Sequence, residues 1–224
     1  MSDKLNIVER IARKIVKKKQ LLANPNKYIK CSKRKPNQTV FLRERHLKNC
    51  KVLESREKML ELIPKNGVFA EVGVAQGYYS RLILDICKPK KLYMIEYSPE
   101  YVTQLKNKFA KEITAGTVKI LQGDSVEMLK ILPDKHLDFV YLDATHDYRH
   151  PKAELEICKN KVKEDGIIAG HDYTRFSMWE QCQYGVVEAV NEFVIKNNYE
   201  FVFLTLDMLS SNSTYAIQKS NFTS

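Results

Sequence analysis

The sequence predicts an α/β protein built on a doubly wound, seven-stranded sheet, mostly parallel, with one antiparallel strand near the carboxyl terminus. Three observations predict it. From residue 52 onward, apolar runs of strand length alternate with segments of helical period. Those runs are near-continuously apolar, the pattern of strands covered on both faces. The last two runs are joined by a link too short for a helical crossover, so they pair antiparallel.

Taken in order, a helix at 54–63 precedes the run GVFAEVGV (67–74) and a helix at 78–87 follows it. KLYMIEY (91–97), a helix at 99–112, TVKILQGD (117–124) and a helix at 125–131 continue the alternation. HLDFVYLD (136–143), a helix at 150–162 and GIIAGHDY (166–173) complete the parallel strands. A loop to 184 leads into the helix 185–197, and FVFLTLD (201–207) with STYAIQK (213–219) forms the closing pair. There is no internal repeat.

Charge divides the chain at the same place as texture. The 224 residues carry 37 Lys/Arg against 27 Asp/Glu, a net charge of +10. Residues 1–51 hold 16 basic and 3 acidic residues, a charge of +13, and the remaining 173 hold 21 and 24, a charge of −3. The domain reading is therefore a basic amino-terminal extension at 1–51 and a mildly acidic domain at 52–224. Within the extension, Val8, Ile11, Ala12, Ile15 and Val16 fall at helical spacing among Lys and Arg, a basic amphipathic helix at 5–22. Residues 23–51 contain two prolines and no sustained period, a loop-rich linker with a short helix.

Composition excludes several classes. A hydrophobic share of 44% with 29% charge is that of a folded chain, and 8 Gly with 7 Pro exclude a fibrous one. Cys31, Cys50, Cys87, Cys158 and Cys182 are odd in number, scattered and without a C-x-x-C pair. That argues against a disulfide framework or structural zinc and for a reducing cytoplasm. The charged start is not a secretory signal, and no apolar run is long enough to span a membrane. The sequons at Asn37, Asn212 and Asn221 then carry no weight.

Ligands of such sheets bind beyond the carboxyl ends of the strands, near the point where strand order reverses. Each strand end here carries a polar or glycine-containing cluster. The first ends in Glu71-Val72-Gly73-Val74-Ala75-Gln76-Gly77, two glycines that let the backbone turn at a helix amino terminus. The spacing is not the G-x-G-x-x-G of nicotinamide oxidoreductases, nor is there the Lys-Ser/Thr of a P-loop. The second strand ends at Glu96, placed to accept from ribose hydroxyls or simply to face solvent. The third ends in Gly123-Asp124-Ser125, which either caps the next helix or also contacts a ligand.

E-x-G-x-x-x-G, an acidic end to strand two and G-D-S after strand three resemble the class I S-adenosylmethionine-dependent methyltransferases, over residues 67 to about 219. LDFVYLDATHDYRHPKAELE and DGIIAGHDY further resemble a subgroup of small-molecule and macrolide-sugar O-methyltransferases. The resemblance implies a Rossmann-like sheet and a bound S-adenosylmethionine. It implies that Glu71, Gly73 and Gly77 line the methionine end, and that Gln76 and Ser80 reach the amino-acid group. Glu96 would hold the ribose, with Asp124 and Ser125 at the adenine, and Asp143 at the end of strand four would also border the cofactor.

Strand four ends at Asp143, followed by His146, and strand five at His171-Asp172. Carboxylates on the ends of neighbouring parallel strands sit side by side, and with substrate oxygens they suit a hard cation such as Mg²⁺. In metal-dependent relatives the matching three positions bind the ion, which implies Asp143, His171 and Asp172. Those relatives carry a carboxylate where His171 stands, so either a softer ion such as Mn²⁺ binds or none does. Asp143 and Asp172 would orient an acceptor hydroxyl, and His146 would deprotonate it, with His171 as the rival base. His136 and His150 read as surface or capping residues, and His46 as part of the basic arm. The loop 173–186 is placed to cover an acceptor, with Arg175, Trp179 and Gln181 as contact candidates.

The reading is methyl transfer to a hydroxyl of a small molecule or sugar. Nucleic acid is not favoured, since no N/D-P-P-Y/F element or Pro-Cys follows strand four. Ribose 2′-O-methylation of RNA and a non-catalytic S-adenosylmethionine-binding module are the alternatives. The basic arm either packs on the core, packs on a second copy in a homodimer, covers the site, or attracts an anionic acceptor.

Overall fold

A computed structural model describes residues 40–177, 180–207 and 212–221. The basic helix expected at 5–22 and Trp179 lie outside the described residues. The strands are β1 (Lys51–Leu53), β2 (Val68–Val72), β3 (Lys91–Glu96), β4 (Val118–Gln122), β5 (Leu137–Leu142), β6 (Val162–Gly170), β7 (Phe176–Ser177), β8 (Cys182–Gln183), β9 (Tyr199–Thr205) and β10 (Tyr215–Lys219). The helices are α1 (Arg56–Leu62), α2 (Tyr78–Leu82), α3 (Pro99–Lys108), α4 (Ala110–Thr114), α5 (Ser125–Lys130), α6 (Arg149–Lys161) and α7 (Val186–Asn197).

The main sheet has the order β1-β9-β10-β6-β5-β2-β3-β4. Only β10 runs against its neighbours, pairing antiparallel with β6 and β9. The single reversed strand is where the short link requires it. The expected count of seven is corrected to eight, because Lys51–Leu53 adds parallel to β9 at one edge. Three residues carry too little pattern to read as a strand, and they fall where composition reads as a linker. The linker also contributes the 3₁₀ turn Glu44–His46, in which His46 is buried and its Nδ1 accepts from the Arg43 amide. The helix expected at 99–112 is two helices, broken at Phe109, and that expected at 78–87 finishes as a π turn at Ile83–Cys87.

Alternation along each strand splits the core into two layers. Val72, Ile95, Val140 and Leu142 pack with Leu129 of α5, Leu155 of α6 and Val190 of α7 on one face. Phe69, Met94, Phe139 and Tyr141 pack with Leu60 of α1, Tyr79 of α2 and Leu105 of α3 on the other. The chain reverses direction across the sheet between β2 and β5, so their carboxyl ends open side by side.

Gly73 makes that opening close-fitting. It adopts φ +83, and a Cβ there would lie 2.1 Å from the Asp143 carbonyl oxygen. Gly116 has a similar φ of +77, and a Cβ added there would meet nothing within 4 Å. Both glycine-to-alanine changes meet the left-handed penalty, about 1–2 kcal/mol, but only Gly73→Ala also forces β2 and β5 apart. Urea denaturation is expected to show Gly73→Ala as the more destabilised by about 2 kcal/mol or more. Equal losses would remove the contact between the strand ends as the reason for this glycine.

Candidate active site

Beyond β2, β3, β4 and β5 lies a cleft of about 520 Å³. Gly73, Glu96, Asp124, Ser125 and Asp143, all expected at the cofactor, border it. Tyr97, Tyr101, Ala144, Thr145 and His150 border it too. Pattern alone does not single these out for a cofactor, since Tyr97 and Tyr101 sit in an ordinary strand end and helix start. His150, which reads as a surface or capping residue from sequence, borders the cleft in the first turn of α6, with its Nδ1 3.1 Å from Asp147.

Glu96 is buried and ties the glycine loop to its own strand. Its two carboxylate oxygens accept from the Ala75 and Ser98 amides, both at 2.7 Å. Each oxygen keeps a lone pair for another donor. Asp124 is the helix cap of the G-D-S segment, its Oδ1 accepting from the Val126 and Glu127 amides at 3.0 and 3.2 Å.

Four expected cofactor residues lie off the cleft. Glu71 is buried on the opposite face of β2, where the Ser80 hydroxyl of α2 donates to it. Gly77 is the amino-terminal cap of α2 at φ +71, against Leu105 and Phe109 of α3. The side chain of Gln76 is exposed, and its carbonyl accepts from Lys108 at 2.8 Å.

Beside the cleft, Asp143, His146, His171 and Asp172 come together. Nε2 of His146 lies 2.7 Å from Oδ2 of Asp172 and 3.9 Å from Oδ1 of Asp143. Nδ1 of His171 lies 3.2 Å from Oδ1 of Asp172 and 3.9 Å from Oδ1 of Asp143. At 3.9 Å Asp143 acts through its charge, and the hydrogen bonds belong to Asp172. Asp172 is 4% exposed, stands at φ +59, and its Oδ1 also accepts from Asn212. Asn212 arrives from the turn before β10, distant in sequence and without a local motif.

Of the loop 173–186, residues 180–185 lie over this cluster. The Tyr184 ring stacks on His146 with centroids 4.4 Å apart, and Glu180 Oε2 lies 4.0 Å from His146 Nδ1. Gly185 donates to the His146 carbonyl at 2.8 Å. Arg175 pairs with Glu188 of α7 instead of facing the cluster, and Gln181 sits in the β7–β8 turn at φ +55.

Electrostatics follow from burial and pairing. Burial works against charge on His146, yet the Asp143 and Asp172 carboxylates raise its pKa to about 10. His171 is raised against burial by the same pair. Burial opposes the Asp172 carboxylate as well, but the two imidazoles hold its pKa well below the usual range. Glu71 goes the other way, since burial pushes its carboxyl up to about 8 despite the Ser80 hydrogen bond. The folded state thus keeps a proton on Glu71 that the unfolded chain releases near 4.5. Between those values stability falls as pH rises, and it levels off above about 8. Relative to Glu71→Gln, which cannot ionise, the wild type should lose at least about 1–3 kcal/mol from about pH 4.5 to about pH 8.5 by urea denaturation. A gap independent of pH would mean that Glu71 is ionised in the folded state.

Oδ and Nε2 atoms of Asp143, His146 and Asp172 lie within 4.8 Å of one another, close enough to converge on one ion. His146 stands in that trio where resemblance implies His171. Residues 70–173 match the family model described as a methyltransferase domain. No curated protein matches the chain. Among solved structures, the B. subtilis tRNA methyltransferase TrmK is 15% identical over 75% of this chain and 67% of its own, with a TM-score of 0.57. The pyocyanin biosynthetic protein PhzM is 13% identical, with 72% of this chain and 54% of its own covered and a TM-score of 0.56. The chain thus spans about half the length of that protein. A putative type 11 methyltransferase from Sulfolobus solfataricus is 19% identical over 77% and 96%, with a TM-score of 0.57. These structures show the fold alone, and the family match spans 104 of the 224 residues.

Proposed function

We propose that this protein transfers the methyl group of S-adenosylmethionine to a hydroxyl of a small molecule or sugar. The observation that carries the reading is Asp143, which borders the cofactor cleft and belongs to the acid–imidazole cluster at once. The methyl donor and a proton acceptor thereby meet at one residue. The sulfonium already makes the methyl electrophilic, so the protein's part is to align the two reactants and remove one proton.

In this reading the methionine and ribose lie along Gly73 and Glu96, and the adenine reaches Asp124 and Ser125. Asp143 orients the acceptor hydroxyl, His146 takes its proton, and Asp172 holds the imidazole. A base with a pKa of about 10 is charged at neutral pH. In the absence of a divalent ion, kcat/KM should therefore climb with pH until about 10. The Asp–His–Asp donor set supports Mn²⁺ or Mg²⁺ at Asp143, His146 and Asp172. Such an ion would supply Lewis acidity toward the acceptor oxygen. It would also have to displace the His146 proton, so Mn²⁺ titration should release protons and tighten as pH rises. Heats that do not change with buffer ionisation enthalpy would argue against this ligand set.

Asp143, Asp172 and Glu180 lie around His146, whose imidazole is itself charged at neutral pH, and the Arg56 guanidinium acts on Asp143 and His171. Hydrogen-bond donors and acceptors of both signs therefore meet at the cluster, which suits the hydroxyls of a small polyhydroxyl acceptor. Calorimetry with S-adenosylmethionine tests the first link, and no binding at millimolar cofactor would end the methyltransferase reading. His146→Ala should keep cofactor affinity and lower kcat about 10²-fold or more. Unchanged turnover in that variant would remove His146 as the base.

A further inference from the structure

Next to the cluster, two buried polar atoms have no partner among the described residues: Oε1 of Glu154 and Nε2 of His171. Glu154 lies in α6 and is 1% exposed. Ser125, which borders the cofactor cleft, hydrogen-bonds its carboxyl group, and Oε1 is left over. On His171, Nδ1 is turned to Asp172. Nε2 lies across the ring from it and is buried without a partner among the described residues.

Glu154 and His171 border the same small cavity of about 10 Å³, which also touches Asp143, Thr145 and His146 on the cluster side and Leu142, Val186 and Tyr215 on the other. That volume is about one water molecule, and a buried water needs polar partners of this kind. An apolar cavity would stay dry, whereas this one has two unpaired polar atoms on its wall.

We propose that one water molecule occupies this cavity and bridges Glu154 Oε1 to His171 Nε2, making Glu154 a positioning residue for the methyl-transfer cluster. The kinetic part of this inference rests on the function proposed above. His171 is then fixed at both ring nitrogens, by the water on one side and Asp172 on the other. Oδ1 of Asp172 is taken by His171 and Asn212, which leaves Oδ2 for His146. Glu154 therefore acts through His171 and Asp172 on the direction of the His146 ring, and through Ser125 it is tied to the cofactor cleft. An outer partner of this kind changes rate without touching a reactant.

A high-resolution crystal structure of the full chain with S-adenosylmethionine is expected to show one ordered water within hydrogen-bonding distance of both atoms. Glu154→Leu should remove it, shift the ¹⁵N resonances of His171, and lower kcat at saturating substrates about 10-fold. Cofactor affinity by calorimetry should change much less. Glu154→Gln, which keeps an acceptor for Ser125 and a polar group for the water, should restore most of kcat. A dry cavity in the wild type would overturn the proposal. So would unchanged kcat in Glu154→Leu, or a loss confined to KM for S-adenosylmethionine. Density and His171 resonances need no turnover, so a chain without methyltransferase activity but with the bridging water loses the function and keeps the bridge. If Glu154→Leu does not fold, the wild-type density and Glu154→Gln still decide.

Discussion

The contact on which the site depends is the approach of Gly73 to the Asp143 carbonyl. It joins the end of β2, which starts the glycine loop, to the end of β5, which starts the loop carrying His146. Backbone bonds continue it on either side: Asp143 donates to Val72, Gly73 to Ile95, and His171 to Leu142. Four strand ends are stitched into one rim by groups every residue possesses. Side-chain chemistry is then hung from that rim. Among its glycines, Gly73 and Gly170 have a residue type imposed by the close approach of a neighbouring strand end. A Cβ at Gly170 would lie 2.8 Å from the Leu142 carbonyl oxygen.

Glu96 and Asp172 show two uses of a buried carboxylate on this rim. Glu96 spends its geometry on backbone amides and so holds the glycine loop in shape before a ligand arrives. Asp172 faces two imidazoles and an amide, a denser set of donors around a residue at positive φ. Non-glycine residues at positive φ are held there by their surroundings. Here those surroundings are the imidazoles of His146 and His171 and the Asn212 amide, so the geometry of the cluster is built in before any ligand arrives.

Much of this was legible in the sequence because it is local. Strand ends, the glycine loop, Glu96, the Asp124 cap and the reversed strand all follow from runs, turns and link lengths of a few residues. Glu71 and Ser80 show the limit. A strand residue faces one layer or the other by parity, and Glu71 shares the parity of Phe69, which turns it from the cleft into the α2 side. Asn212, Tyr184 and Glu154 reach the site only through long-range packing, so no spacing marks them. β1 is unreadable for a different reason: with three residues, its pairing to β9 depends on the edge already being there.

The charge of the chain is a poor guide to what its site accepts. The basic excess lies in residues 1–51, whereas Asp143, Asp172 and Glu180 gather around His146. Fields from exposed charges fade within about 8–10 Å at ordinary ionic strength, whereas buried ones are screened far less. On the function proposed above, an acceptor would answer to the charges gathered at Asp143, His146 and Asp172 more directly than to the net charge of the whole chain. Its oxygens would then meet two carboxylates and an imidazole that converge within one contact distance.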